Sequence, residues 1–84
     1  MDSEIIAAHP FSKNNKPMLK KDKKCGCFYC LRIFDTSEIK EWIEDENGTA
    51  LCPFCGIDSV IGESAGYPLE KTFLEAMNRY WFSK

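Results

Sequence analysis

The chain has one histidine, His9, among its 84 residues, and no glycine-rich phosphate cradle or nucleophile–base pair. A lone imidazole with no visible neighbour to fix its tautomer points to a surface or docking role for His9 rather than metal capping or acid–base work. No apolar run approaches the roughly 20 residues needed to cross a bilayer. No basic-then-apolar leader opens the chain either, so the cytoplasm is the expected compartment. Internal repeats and low-complexity blocks are also missing. A single domain this short buries too little surface to be comfortably stable on packing alone.

Cysteine is what the chain has in excess. Cys27-Phe28-Tyr29-Cys30 and Cys52-Pro53-Phe54-Cys55-Gly56 are two C-x2-C pairs separated by 21 residues, the spacing of a four-thiolate metal site. Two residues between cysteines let one tight turn aim both sulfurs at a single ion. Pro53 presets φ for the second turn, and Gly56 can take the positive φ that points following amides back at sulfur. Leu31 stands where the second pair has glycine, so the first turn is expected to be more open or to lean on Arg32 for charge compensation. Four cysteines leave no open coordination position, so the expected metal is one structural Zn2+ held by Cys27, Cys30, Cys52 and Cys55. Iron in a rubredoxin-like site would use the same sulfurs. Such a zinc contributes on the order of 10 kcal/mol to folding, and free thiolates agree with a reducing compartment.

Cys25 makes the count odd. A ligand role would need a tighter Cys-Gly-Cys turn, so Cys25 is read as a spare thiol beside the metal. Lys23 and Lys24 would lower its pKa and make it reactive; the plainer alternative is a partly buried small residue. Asp58-Ser59 offers either a polar site beside the metal or, more simply, local turn caps.

Charge is unevenly placed. The formal net charge is −2, and four thiolates with one Zn2+ would bring it to −4. Lys13, Lys16, Lys20, Lys21, Lys23, Lys24 and Arg32 form a basic stretch, followed by an acidic one with Asp35, Glu38, Glu41, Glu44, Asp45 and Glu46. Residues 1–24, with His9-Pro10, Asn14-Asn15 and Pro17, read as a basic, weakly ordered arm pinned by Ile5, Ile6, Phe11, Met18 and Leu19. Residues 25–84 read as the metal-stabilised domain. Within it, Leu31 to Phe34 is a strand candidate, and Ser37 to Glu41 fits the opening turn of a short helix. Residues 39–51 form a hairpin turning at Asn47-Gly48. Ile57 to Ile61 is a third strand. Pro68 suits a first helical position, and Leu69, Phe73, Leu74, Met77, Tyr80 and Trp81 recur at helical spacing and are expected to pack on the sheet, the alternative being an exposed partner-binding face. The fold class is thus a small metal-stabilised α+β zinc ribbon: two C-x2-C knuckles, a short antiparallel sheet and a C-terminal amphipathic helix.

Through Cys25-Gly26-Cys27-Phe28-Tyr29-Cys30, Ser37-Glu38-Ile39 with Trp42, Ala50 to Gly62 and Tyr80-Trp81-Phe82, the chain resembles a family of small bacterial zinc-ribbon proteins. The resemblance covers most of the chain after Lys24 and implies a ribbon with a C-terminal helix; it brings no activity with it. The leading functional expectation is a zinc-binding module that binds a protein partner, with Phe28, Tyr29, Trp42 and Trp81 as contact candidates and Trp81 and Phe82 as anchors. The alternative is a nucleic-acid-binding ribbon using Lys20, Lys21, Lys23, Lys24 and Arg32 for phosphates and Phe28 or Tyr29 for base stacking. An enzyme would have to draw on Glu38, Glu41 or Asp58, with no nucleophile beside them. The ligand assignment predicts one zinc per chain by elemental analysis, retained in Cys25→Ser and lost in Cys52→Ser.

Overall fold

The cysteine-bearing segment Lys24–Cys27 is the middle strand, β1, of a three-stranded antiparallel sheet. The computed structural model describes residues 2–82; residue 1 of the expected arm and residues 83–84 of the expected domain lie outside them. β2 (Ile33–Asp35) flanks β1 on one side, pairing Cys25 with Phe34, and β5 (Val60–Gly62) flanks it on the other, pairing Gly26 with Ile61. A separate hairpin joins β3 (Trp42–Ile43) to β4 (Thr49–Ala50), with Trp42 opposite Ala50. The sequence identified β2, β5 and the hairpin, with β5 starting later than expected. It did not identify β1, because a Lys-Cys-Gly-Cys run has little β-propensity of its own and is a strand only by pairing on both edges.

Period-two alternation sorts the sheet into two faces. Cys25, Cys27, Phe34 and Val60 pack on one side with Leu19, Ile39, Ala50 and Cys52. Ile61 and Phe28 pack on the other with Ile5, Ala8, Phe73, Leu74 and Met77. The second face is covered by α3 (Lys71–Phe82), which buries Phe73, Leu74 and Met77 as its spacing predicts. Its close approach depends on Gly26: a Cβ there would sit 3.1 Å from Leu74 Cδ1. Pro68 precedes the helix and does not occupy its first turn.

The N-terminal segment is where expectation and structure part. Residues 2–24 do not run as an extended arm. They form α1 (Asp2–Ala8), a 3-10 turn at His9–Ser12 and α2 (Lys16–Leu19), and they bury Ile5, Ala8, Ser12, Asn15 and Leu19. Ile6, expected to pin the arm, is exposed. The apolar residues are too few for a recognisable periodicity, but the helices gain stability from tertiary contacts rather than from propensity. Trp81 Nε1 donates to the Ile5 carbonyl at 3.4 Å, and the His9 ring packs tilted against the Trp81 ring with centroids 4.1 Å apart.

Asn15 ties this segment to both sheets. Its Nδ2 donates to Val60 O at 2.8 Å and Phe11 O at 3.0 Å, and its Oδ1 accepts from Ala50 N at 3.1 Å. One buried amide thus satisfies backbone groups of β4 and β5. Asn14, at φ 52°, donates its N–H to Thr49 Oγ1 at 2.8 Å, and Thr49 in turn donates to Asp45 Oδ2 at 2.5 Å. The Thr49 hydroxyl and the Gly48 N–H hold the Asp45 carboxyl below its ordinary range. The hairpin connection is five residues, 44–48, with Gly48 at φ 94°. Ser37-Glu38 belongs to a 3-10 turn, Thr36–Glu38, closed by a capping box between Asp35 and Glu38.

Replacing Asn15 by alanine strands the Ala50 N–H and the Val60 carbonyl in the interior, where each unsatisfied group costs about 1–3 kcal/mol. Urea denaturation of metal-loaded Asn15→Ala should show a loss of about 2–4 kcal/mol. Asn15→Asp, which keeps the shape but removes the donors, should lose at least as much.

Candidate metal centre

Both cysteine pairs fold into the same turn. In the first, Leu31 N donates to Cys27 O at 2.9 Å and Cys27 N to Arg32 O at 2.9 Å. In the second, Gly56 N donates to Cys52 O at 2.8 Å and Cys52 N to Ile57 O at 3.0 Å. The residue four places after the leading cysteine has positive φ in each: Leu31 at 70° and Gly56 at 79°. Gly56 does this freely, as expected. Leu31 corrects the expectation of a more open first turn, because it accepts the left-handed conformation at a cost of about 1–2 kcal/mol. That cost is met by closing the turn and by packing Leu31 against the buried cluster that includes Phe28. The Arg32 guanidinium lies over the Phe54 ring, 4.6 Å from the centroid.

The turns aim backbone donors at the leading sulfurs. Cys27 Sγ faces Tyr29 N at 3.4 Å and Cys30 N at 3.5 Å, and Cys52 Sγ faces Phe54 N at 3.4 Å. Across the turns, Cys27 and Cys55 sulfurs are 3.6 Å apart and Cys30 and Cys52 sulfurs 3.7 Å apart. All four lie within 4.8 Å of one another. The cross-turn separations are far longer than a disulfide bond and close to the edge, about 3.8 Å, of a tetrahedron with metal–sulfur bonds near 2.3 Å. Four cysteines therefore converge at a spacing that suits one tetrahedral metal ion, and no other His, Cys, Asp or Glu among the described residues joins the group. His9 stands apart, against Trp81 and Phe28.

Cys25 is excluded by strand geometry. It shares a sheet face with Cys27 but stands two residues back along β1, about 6.6 Å at the usual strand rise. There it is fully buried, its sulfur 3.7 Å from Phe34 O. Burial pushes its thiol up to about 12, with the carboxylates of Glu38, Asp22 and Asp35 acting in the same direction. The plainer expectation of a partly buried small residue is the nearer one, with Cys25 fully rather than partly buried. Lys23 and Lys24 do not activate Cys25, since Lys24 pairs with Asp35 at 3.0 Å on the exposed side.

Of the two readings of Asp58-Ser59, the polar site beside the sulfurs holds for Ser59. Its Oγ is buried and 3.0 Å from Cys27 Sγ, and a thiolate there accepts the hydroxyl proton. Its carbonyl accepts from Phe28 N at 3.0 Å. The expected turn-capping role thus gives way, for Ser59, to contact with a ligand candidate 32 residues away; Asp58 is exposed. Glu38, Glu41 and Asp58 are all exposed, and Glu38 serves the capping box.

Among the contact candidates, Phe28 is buried, Tyr29 is 46% exposed, and Trp42 and Trp81 are half-buried. Phe54, 47% exposed, was missed. The signal was present: Phe54 and Tyr29 occupy the same place in their C-x2-C pairs, the turn tip. The Lys16 ammonium lies over Trp42, 5.2 Å from the centroid. No helix among the described residues is long and apolar enough to cross a membrane. Set against protein-family models, curated proteins and solved structures, the chain matches none.

Without a cation Cys30 and Cys55 favour their protons. Burial pushes the Cys30 thiol up to about 11 and raises that of Cys55 as well. Burial also opposes ionisation of Cys52, but the N–H groups of Phe54 and Cys55 help hold it below the ordinary value. As pH rises from 9.0 towards about 11 the unfolded chain loses the Cys30 proton first, so the metal-free fold loses stability across that window. Metal binding works in the opposite sense, because each ligand must lose its proton. Zinc uptake near neutral pH should release about three to four protons per ion, with apparent affinity rising as pH rises. Chelator competition across pH, with proton release followed in weak buffer, measures both.

Proposed function

We propose that this protein is a zinc ribbon in which Cys27, Cys30, Cys52 and Cys55 hold one structural Zn2+, and that the domain is a binding module for another protein. The observation that carries the proposal is the four-sulfur cluster, with cross-turn separations of 3.6 and 3.7 Å. Four thiolates fill a tetrahedral ion's coordination and leave no position for substrate, so the metal's contribution is to rigidify the two turns. Zinc suits such a set without calling for a redox partner. A reducing compartment, the cytoplasm, keeps those thiols free of disulfides. The resemblance to small bacterial zinc-ribbon proteins belongs with this reading.

The protein-binding role rests on what the turns present. Tyr29 and Phe54 stand at the two tips, and Tyr29 meets the exposed Phe82 edge-to-face at 4.8 Å. Rigid aromatic side chains on a preorganised turn lose little entropy on binding, which makes them good anchors. The nucleic-acid alternative has one observation in its favour, the Arg32 guanidinium stacked on Phe54, a pair able to receive a base. Against it, Phe28 is buried, and the carboxylates of Asp35 and Glu63 lie among the lysines, Glu63 accepting the Lys23 and Lys24 N–H groups at 2.8 and 3.1 Å.

Affinity capture from native extract with zinc-loaded protein, with and without nuclease, separates the two. A protein retained after nuclease treatment, and lost when Tyr29 and Phe54 are both replaced by alanine, supports the protein-binding role. Capture abolished by nuclease, together with oligonucleotide affinity that falls steeply with salt, would replace it with the nucleic-acid alternative.

A further inference from the structure

The four clustered sulfurs are not equivalent. Cys27 and Cys52 are buried, at 0% and 2% exposure, whereas Cys30 and Cys55 are only half-buried. Hydrogen bonding follows the same division. Cys27 Sγ faces the N–H groups of Tyr29 and Cys30 and, at 3.0 Å, the Ser59 hydroxyl. Cys52 Sγ faces the N–H groups of Phe54 and Cys55. Cys30 faces the Arg32 N–H and Cys55 the Ile57 N–H. Donors draw charge from a thiolate lone pair, and burial keeps reagents from it; both effects slow the inner sulfurs.

We propose that Cys30 and Cys55 are a modification site for soft electrophiles of the α,β-unsaturated carbonyl class, and that their modification opens the metal centre while Ser59 keeps Cys27 on the protected side. The proposal rests on the metal-centre reading above. In the step, a thiolate lone pair of Cys30 or Cys55 forms an S–C bond to the β-carbon of the electrophile. The C=C π pair shifts to the α-carbon, which takes a proton from water. The product is a neutral thioether, a much weaker zinc ligand than a thiolate, so one corner of the tetrahedron is lost. Cys25 takes no part: it is fully buried, with its sulfur against Phe34 O.

The test uses the zinc-loaded full chain, its metal content confirmed by native mass spectrometry before any reagent is added. Sub-stoichiometric N-ethylmaleimide is followed by peptide mapping, with zinc release read by a chromogenic chelator. Cys30 and Cys55 should be labelled about tenfold faster than Cys27 and Cys52, with zinc released in step with the first adduct. In zinc-loaded Ser59→Ala, Cys27 labelling should rise severalfold, while Ser59→Thr, which keeps the hydroxyl, should leave it slow. First adducts on Cys27, Cys52 or Cys25, equal labelling of all four, or adducts that release no zinc would overturn the proposal. An unchanged Cys27 rate in loaded Ser59→Ala would remove the part assigned to Ser59. The wild-type labelling order decides the site even where Ser59→Ala fails to load. A chain holding no zinc at the outset would overturn the metal-centre reading instead, and that result is visible before the maleimide enters.

Discussion

The meeting of Cys27 with the second cysteine turn is the contact on which the rest of the structure depends. Cys27 ends the central strand of the three-stranded sheet, and Cys52 stands two residues beyond the hairpin strand that ends at Ala50. Their side chains share one buried cluster, so the space among the four sulfurs is also the junction of the two sheets. A core this small cannot spare that junction. A bound ion would join the sheets through bonds rather than through packing alone.

The two turns show how unlike sequences reach one geometry. Gly56 adopts positive φ freely, and Leu31 adopts nearly the same φ against its steric preference. The demand comes from the sulfurs: a leading cysteine can receive backbone N–H groups only if the chain reverses behind it. Tyr29 and Phe54 are then carried to equivalent outward positions. Surface chemistry in this molecule is thus a consequence of the turn geometry, and the exposed aromatic pair is supported by the same bonds that organise the cluster.

Asn15 performs a comparable task with polar atoms. A single buried amide reaches backbone groups 35 and 45 residues away, joining the N-terminal helices to β4 and β5 without a large apolar interface. This explains how a segment rich in lysine and asparagine becomes an integral part of the body. Its lysines are exposed except Lys16, which is half-buried against Trp42, while Ile5, Ala8, Asn15 and Leu19 reach inward.

Much of the site was legible because it is local. Cysteine spacing, the turn after Cys52, the hairpin around Asp45-Glu46-Asn47-Gly48 and the apolar stripe from Phe73 to Met77 each express a period or a turn within a few residues, and backbone sterics act at that range. What only the tertiary structure decided are matters of long-range pairing. These include β1 as a central strand, the packing of residues 2–24, the burial of Phe28 beside an exposed Tyr29, and the contact of Ser59 with Cys27. None of these follows from a residue's own neighbours, because a short polar or mixed segment takes its conformation from whichever distant partners satisfy its hydrogen bonds and cover its few apolar atoms.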